Sequence, residues 1–73
     1  MDRIEINPKK LGGKPVIKGT RIPVYLILEM LAAGMSVEDI LKEYPELTKE
    51  DVREAIKYAS QVLKSEEIHE ILA

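Results

Sequence analysis

Met35-Ser36-Val37-Glu38-Asp39-Ile40-Leu41-Lys42-Glu43-Tyr44-Pro45-Glu46-Leu47-Thr48-Lys49-Glu50-Asp51-Val52 writes the start of a helix twice. Ser36 is followed three residues later by Asp39, and Thr48 by Asp51. That is the spacing of a capping box with aspartate in place of the usual Glu or Gln: the hydroxyl accepts from one orphan backbone N–H and the acidic side chain from another. Met35 with Ile40, and Leu47 with Val52, have the spacing of hydrophobic staples across the same two boundaries. The pattern predicts a short helix after Ser36 with Val37, Ile40, Leu41 and Tyr44 inward. Pro45 ends it by disfavouring a helical backbone at Tyr44. A longer helix follows, from Lys49 to about Leu63, burying Val52, Ala55, Ile56, Ala59, Val62 and Leu63.

Upstream, Pro23 suits the first position of a helix and Gly34 the position just past its end, so a first helix is expected over Pro23 to about Ala33. Val24, Ile27, Leu28 and Leu31 form one apolar stripe; Leu26, Met30 and Ala33 form another. A helix apolar over most of its circumference is either central or shared with a second protein. In so small a chain this predicts a homodimer or a complex with another protein, and Ile4, Ile6, Leu26, Met30 and Ala33 are the candidate interface residues. Two amphipathic helices joined by Glu43-Tyr44-Pro45-Glu46-Leu47-Thr48 and preceded by an apolar helix match a three-helix helix-turn-helix arrangement.

The first 22 residues read differently. Ile4 and Ile6 alternate with charged residues up to Pro8, Gly12-Gly13 marks a turn, and Pro15-Val16-Ile17 suits a second short strand. Two short strands are marginal alone, so this arm is expected to pack on the helices or pair with another chain. The mainly α chain thus divides into a basic β-arm (1–22), a helix-turn-helix core (23–63) and a C-terminal helical tail (65–73), all in one domain.

A net charge of −2 hides an asymmetry: residues 1–23 carry six basic and two acidic side chains, residues 24–73 five basic and eleven acidic ones. Lys9, Lys10, Lys14, Lys18 and Arg21 of the arm are candidate phosphate contacts. Lys49, Arg53 and Lys57, at steps of four on the third helix, are the candidate groove readers. Glu50 and Glu54 beside them leave open a salt-bridged solvated face, and Arg21 could instead fix the arm to the acidic body.

Catalysis finds little support. Gly12-Gly13-Lys14-Pro15 lacks the Ser or Thr and the earlier glycine of a phosphate loop, His69 reads as a surface histidine beside Glu66 and Glu70, and Tyr25, Tyr44 and Tyr58 read as packing residues. With no cysteine and one histidine, neither disulfides nor a Cys/His zinc site are expected, nor any cofactor. The charged N-terminus and the short apolar run from Val24 to Ala33 predict a cytoplasmic protein with neither signal peptide nor membrane span.

The string Gly12-Gly13-Lys14-Pro15-Val16-Ile17-Lys18-Gly19-Thr20-Arg21-Ile22-Pro23-Val24, with Asn7-Pro8, Leu31-Ala32-Ala33-Gly34-Met35-Ser36, Ile40-Leu41, Tyr44-Pro45-Glu46-Leu47-Thr48 and Asp51-Val52, resembles the family catalogued as domain of unknown function 433. The resemblance covers roughly residues 3–62. It implies a homeodomain-like helix-turn-helix fold and the role of a VapB-type antitoxin that neutralises a PIN-like nuclease and represses its own operon. It supplies no catalytic residues. The alternative is a protein–protein interaction module, or a helix-turn-helix protein of another role, without DNA binding.

Overall fold

The computed structural model describes residues 2–65. The expected helical tail over residues 66–73, with His69, lies outside them. The described chain runs β1 (Ile4–Glu5), a one-turn 3-10 segment (Leu11–Gly13), β2 (Val16–Ile17), α1 (Val24–Ala32), α2 (Val37–Glu43) and α3 (Lys49–Ser65). The three helices pack on one another, and β1 packs on α3. Val16, Ile17, Ile22, Val24, Ile27, Met30, Ile40, Leu47, Val52 and Ala55 make up the core.

Both capping boxes form. Asp39 N–H donates to Ser36 Oγ at 3.0 Å and Ser36 N–H to Asp39 Oδ2 at 3.0 Å. At α3, Asp51 N–H donates to Thr48 Oγ1 at 3.2 Å and Thr48 N–H to Asp51 Oδ2 at 3.0 Å. The staple residues Ile40, Leu47 and Val52 are buried, and Met35 packs against them. Tyr44, ahead of Pro45, takes φ −127° and ψ 82°, which stops α2. At the end of α1, Gly34 takes φ 93°, its N–H donates to the Leu31 carbonyl, and Met35 N–H donates to that of Met30. This is a Schellman motif, with Met35 and Met30 as its hydrophobic pair.

Three boundaries and burials differ from the sequence expectation. Pro23 is the N-cap of α1 and not its first residue: its extended backbone (ψ 149°) bridges to Val16, so the helix starts at Val24. Met30 is core and Leu26 is packed against it, because so few residues surround α1 that both stripes find cover within the chain. On α3 the reverse holds: Ile56, Val62 and Leu63 are exposed. Nine residues of α1 give about 14 Å of helix and seventeen of α3 about 26 Å. The last turns of α3, with Val62 and Leu63, therefore outrun α1, whereas Ile56, midway along α3, borders the gap beside Val37 and Glu38 of α2.

The arm is a two-stranded antiparallel sheet with Ile4 opposite Ile17 and Glu5 opposite Val16. Ile4 packs on the core, whereas Ile6, expected on the same half-buried face, lies beyond the last strand pair and is 61% exposed. The return from β2 to α1 is a tight loop. Gly19 takes φ 81°, Thr20 Oγ1 donates to the Ile17 carbonyl at 2.7 Å and accepts from Ile22 N–H at 3.0 Å, and Val24 N–H donates to the Pro15 carbonyl.

The arm is tied to α3 by Arg3, whose guanidinium donates to Asp51 Oδ1 at 3.1 Å. Arg21, the residue offered for such a pairing, is exposed instead, because the Gly19-Thr20 turn aims it outward. Asp51 thus serves its own helix cap and the arm with one buried carboxylate. Asp51→Ala is expected to cost about 2 kcal/mol, from the lost cap and the stranded Thr48 N–H. Arg3→Ala should cost under about 1 kcal/mol, because the guanidinium is half exposed. Urea midpoints of the two variants and their double check this: equal losses would show that the cap contributes nothing.

Among the described residues Leu11 is the one non-glycine residue with positive φ, 48°, in a turn closed by Gly13 N–H to the Lys10 carbonyl. A bulky side chain there costs about 1 kcal/mol, which asparagine largely avoids. Leu11→Asn should raise the urea midpoint at unchanged slope; a lower midpoint would mean that the half-exposed Leu11 side chain contributes packing that outweighs the strain.

Candidate functional site

Two surfaces carry the side chains that the fold leaves unused. The first is the start of α3. Rigid capping at Thr48 and the buried Val52 and Ala55 fix the helix, so Lys49, Arg53 and Lys57 stand exposed about 6 Å apart along it. A shallow cavity of about 300 Å³ separates Lys49 and Arg53 from Val37 and Glu38 of α2. The expected alternative was a salt-bridged face with Glu50 and Glu54. Among the described residues the ion pairs are Arg3 with Asp51 and Lys10 with Glu5, so these three cations stand outside any ion pair there.

The arm divides its cations. Lys9, Lys14, Lys18 and Arg21 are exposed. Lys10 is not available as expected: its ammonium donates to Glu5 Oε1 at 3.1 Å and reaches the Thr20 carbonyl at 3.5 Å. Glu5 sits on β1 and Lys10 folds back from the turn, so the pair staples the arm internally. Asp51 was expected as the cap partner of Thr48, but its second bond, to Arg3, was missed, as was the role of Thr20 in the loop. The Gly19-Thr20 pair is the signal that could have found Thr20, since a hydroxyl in a turn bonds backbone groups two or three residues away.

The second surface is apolar. Tyr25 and Leu28 of α1 face Tyr58, Ala59, Val62 and Leu63 of α3 across a cavity of about 390 Å³. Lys14 stands on its rim and Pro15 and Val24 complete the lining. The groove exists because α3 outruns α1. Of the residues expected at a partner interface, Leu26 and Ile4 are half-buried on the core, Met30 is buried, and Ile6 and Ala33 are exposed away from this groove.

Among the described residues no three His, Asp or Glu side chains converge to hold a metal ion, and no helix is long and apolar enough to cross a membrane.

These features define a small three-helix protein with a β-arm and a capped, cation-bearing third helix. The family described as "Protein of unknown function (DUF433)" matches residues 4–59, and the chain belongs to it. The chain is 49% identical over 53 residues to "Uncharacterized protein y4eO" of Sinorhizobium fredii, a match covering 73% of this chain and 24% of that protein. It therefore spans about a quarter of that curated relative. A crystal structure of a DUF433 member from Anabaena variabilis superposes with a TM-score of 0.79 at 36% identity, covering 84% of this chain and 60% of that one.

Two carboxylates, half-buried Glu5 and exposed Asp39, set a pH response. The Lys10 ammonium, by hydrogen bond and then by charge, holds the Glu5 carboxyl below its ordinary value of 4.5. The Ser36 backbone N–H, then its hydroxyl, holds Asp39 below 3.8. Lowered folded-state values mean that the unfolded chain takes up protons first as pH falls, so the stabilisation is present above about pH 5 and is lost on acidification through the folded values. The melting temperature should be flat above about pH 5 and fall below it, with a shallower fall in Asp39→Asn. A melting temperature that rises on acidification would contradict these pairings.

Proposed function

We propose that the chain is the antitoxin of a type II toxin–antitoxin pair, a homodimer that contacts operator DNA through α3 and the arm and binds a PIN-like nuclease. The observation that carries the DNA contact is the exposed row Lys49, Arg53 and Lys57, outside any ion pair among the described residues, on a helix entered through a tight turn and a rigid cap. A helix presented this way offers its first turns to a major groove, and Arg53 has the fork that guanine accepts. Lys9, Lys14, Lys18 and Arg21 add phosphate contacts that position and do not specify. Glu50 and Glu54 oppose a polyanion, so one copy binds weakly and two copies, doubling the cationic surface, bind usefully. The antitoxin role and the nuclease partner rest on membership of the family.

The apolar groove between α1 and the end of α3 supports a second reading, a protein-docking module without DNA binding.

A mobility-shift assay on DNA upstream of the chain's own coding sequence tests the first reading. Replacing Lys49, Arg53 and Lys57 by Gln should weaken binding by more than about tenfold and lower the log–log salt slope by about 0.9 for each phosphate no longer neutralised, while Lys42→Gln on α2 leaves both unchanged. No shift at low or moderate salt, with or without a partner protein, would remove the DNA role.

A further inference from the structure

Ile56 interrupts the cationic face of α3 with an apolar side chain that the fold leaves 46% exposed. We infer that it reads sequence: Ile56 packs against the C5-methyl group of a thymine lying within about two base pairs of the guanine that Arg53 contacts. The inference rests on the DNA contact proposed for α3 and adds to it a base that this helix distinguishes.

Position on the helix is the first observation. At about 100° per residue, Ile56 stands about 20° round the helix from Lys49 and about 60° from Arg53, whereas Glu50 and Glu54 stand about 120° and about 160° away. The acidic residues of α3 that oppose a polyanion therefore occupy the other flank. Lys49, Arg53 and Ile56 line one gap of about 300 Å³ with Val37 and Glu38 of α2. Glu38 is the carboxylate on that gap, and it forms no ion pair with either cation among the described residues.

Residue type and charge are the second. A helix site this open to solvent favours Ala, Glu, Lys or Gln, because a β-branched side chain loses rotamer freedom there with little burial to offset it. Lone exposed apolar residues are common, but this one has Arg53 one turn before it, Lys49 two turns before it and Lys57 beside it. Cations around an apolar centre complement a major groove, where phosphates flank base edges whose apolar group is the thymine C5-methyl. A protein surface could also cover an isoleucine; three cations outside any ion pair among the described residues favour a polyanion. Arg53 precedes Ile56 by about 4.5 Å along the helix, against about 3.4 Å per base pair. A guanine and a thymine contacted by the two side chains are therefore neighbours or next neighbours.

The whole chain is used to select duplexes from a randomised pool, and each thymine of the selected site is then replaced in turn by deoxyuridine, which removes the methyl group and keeps the base pair. At one thymine the replacement should weaken binding about fourfold, the worth of one buried methyl group, with the salt slope unchanged because no phosphate contact is lost. Ile56→Ala should not distinguish the thymine duplex from its deoxyuridine counterpart, whereas Ile56→Val should. Ile56→Gln takes the place of the alanine variant should that variant fail to fold by circular dichroism. Selected duplexes that bind equally well with every deoxyuridine would overturn the inference and leave the DNA reading standing. A loss that persists in Ile56→Ala would overturn it by assigning the methyl group to another side chain, and if that variant no longer self-associates in sedimentation the face belongs to a second copy. Selection of no duplex at low or moderate salt removes the DNA reading, and this inference with it.

Discussion

One buried carboxylate holds the two halves of this chain in register. Asp51 accepts from Thr48 N–H to start α3 and from Arg3 to hold the arm, and its side chain is 10% exposed. A buried anion without partners would be costly, so the segment carrying Arg3 and the turn carrying Thr48 are constrained to meet at this point. Placement of β1 on α3 brings Ile4 over the core, and pairing with β2 then buries Val16 and Ile17. A two-stranded sheet this short has no independent stability, so the arm's order derives from that packing and from its tie to α3.

The loop between β2 and α1 shows how densely a small chain assigns roles. Gly19 supplies the left-handed turn, Thr20 closes it with two side-chain bonds, Ile22 and Val24 enter the core, and Pro23 is both bridge partner and N-cap. Within that run Arg21 alone points to solvent and makes no ion pair among the described residues. Every neighbour has a structural reason for its identity, which makes Arg21 the member of the string best suited to contact something outside the chain.

The mismatch between the short α1 and the long α3 decides where apolar surface remains. Each side chain fully buried in a core is worth about 1.5–3 kcal/mol, and α1 exhausts its apolar residues on α2, α3 and the arm. Val62 and Leu63 continue the inward face of α3 to where only a gap separates them from Tyr25 of α1 and the Lys14-Pro15 stretch of the arm. An apolar groove is left at one end of the body, while the cations of α3 lie toward its other end.

The starts of α2 and α3, the ends of α1 and α2 and the two strands were legible because their causes are local: Ser36 with Asp39, Thr48 with Asp51, Pro45, Gly34, the alternation around Ile4 and the Gly12-Gly13 turn act through neighbours within a few residues. Periodicity likewise identified Ile27, Ile40, Val52 and Ala55 as core. Sequence could not say which of two apolar stripes on α1 faces out, since both are apolar and the answer depends on how many elements surround the helix; the fold covers both. It could not tell Lys10 from Lys9, because only the hairpin brings Glu5 to the one and not the other. Nor could it see that Arg3, not Arg21, meets the acidic body, for that pair spans 48 residues and exists only once the arm lies across α3. Local hydrogen bonding determined the elements; the choice of partners among like residues was decided by their packing.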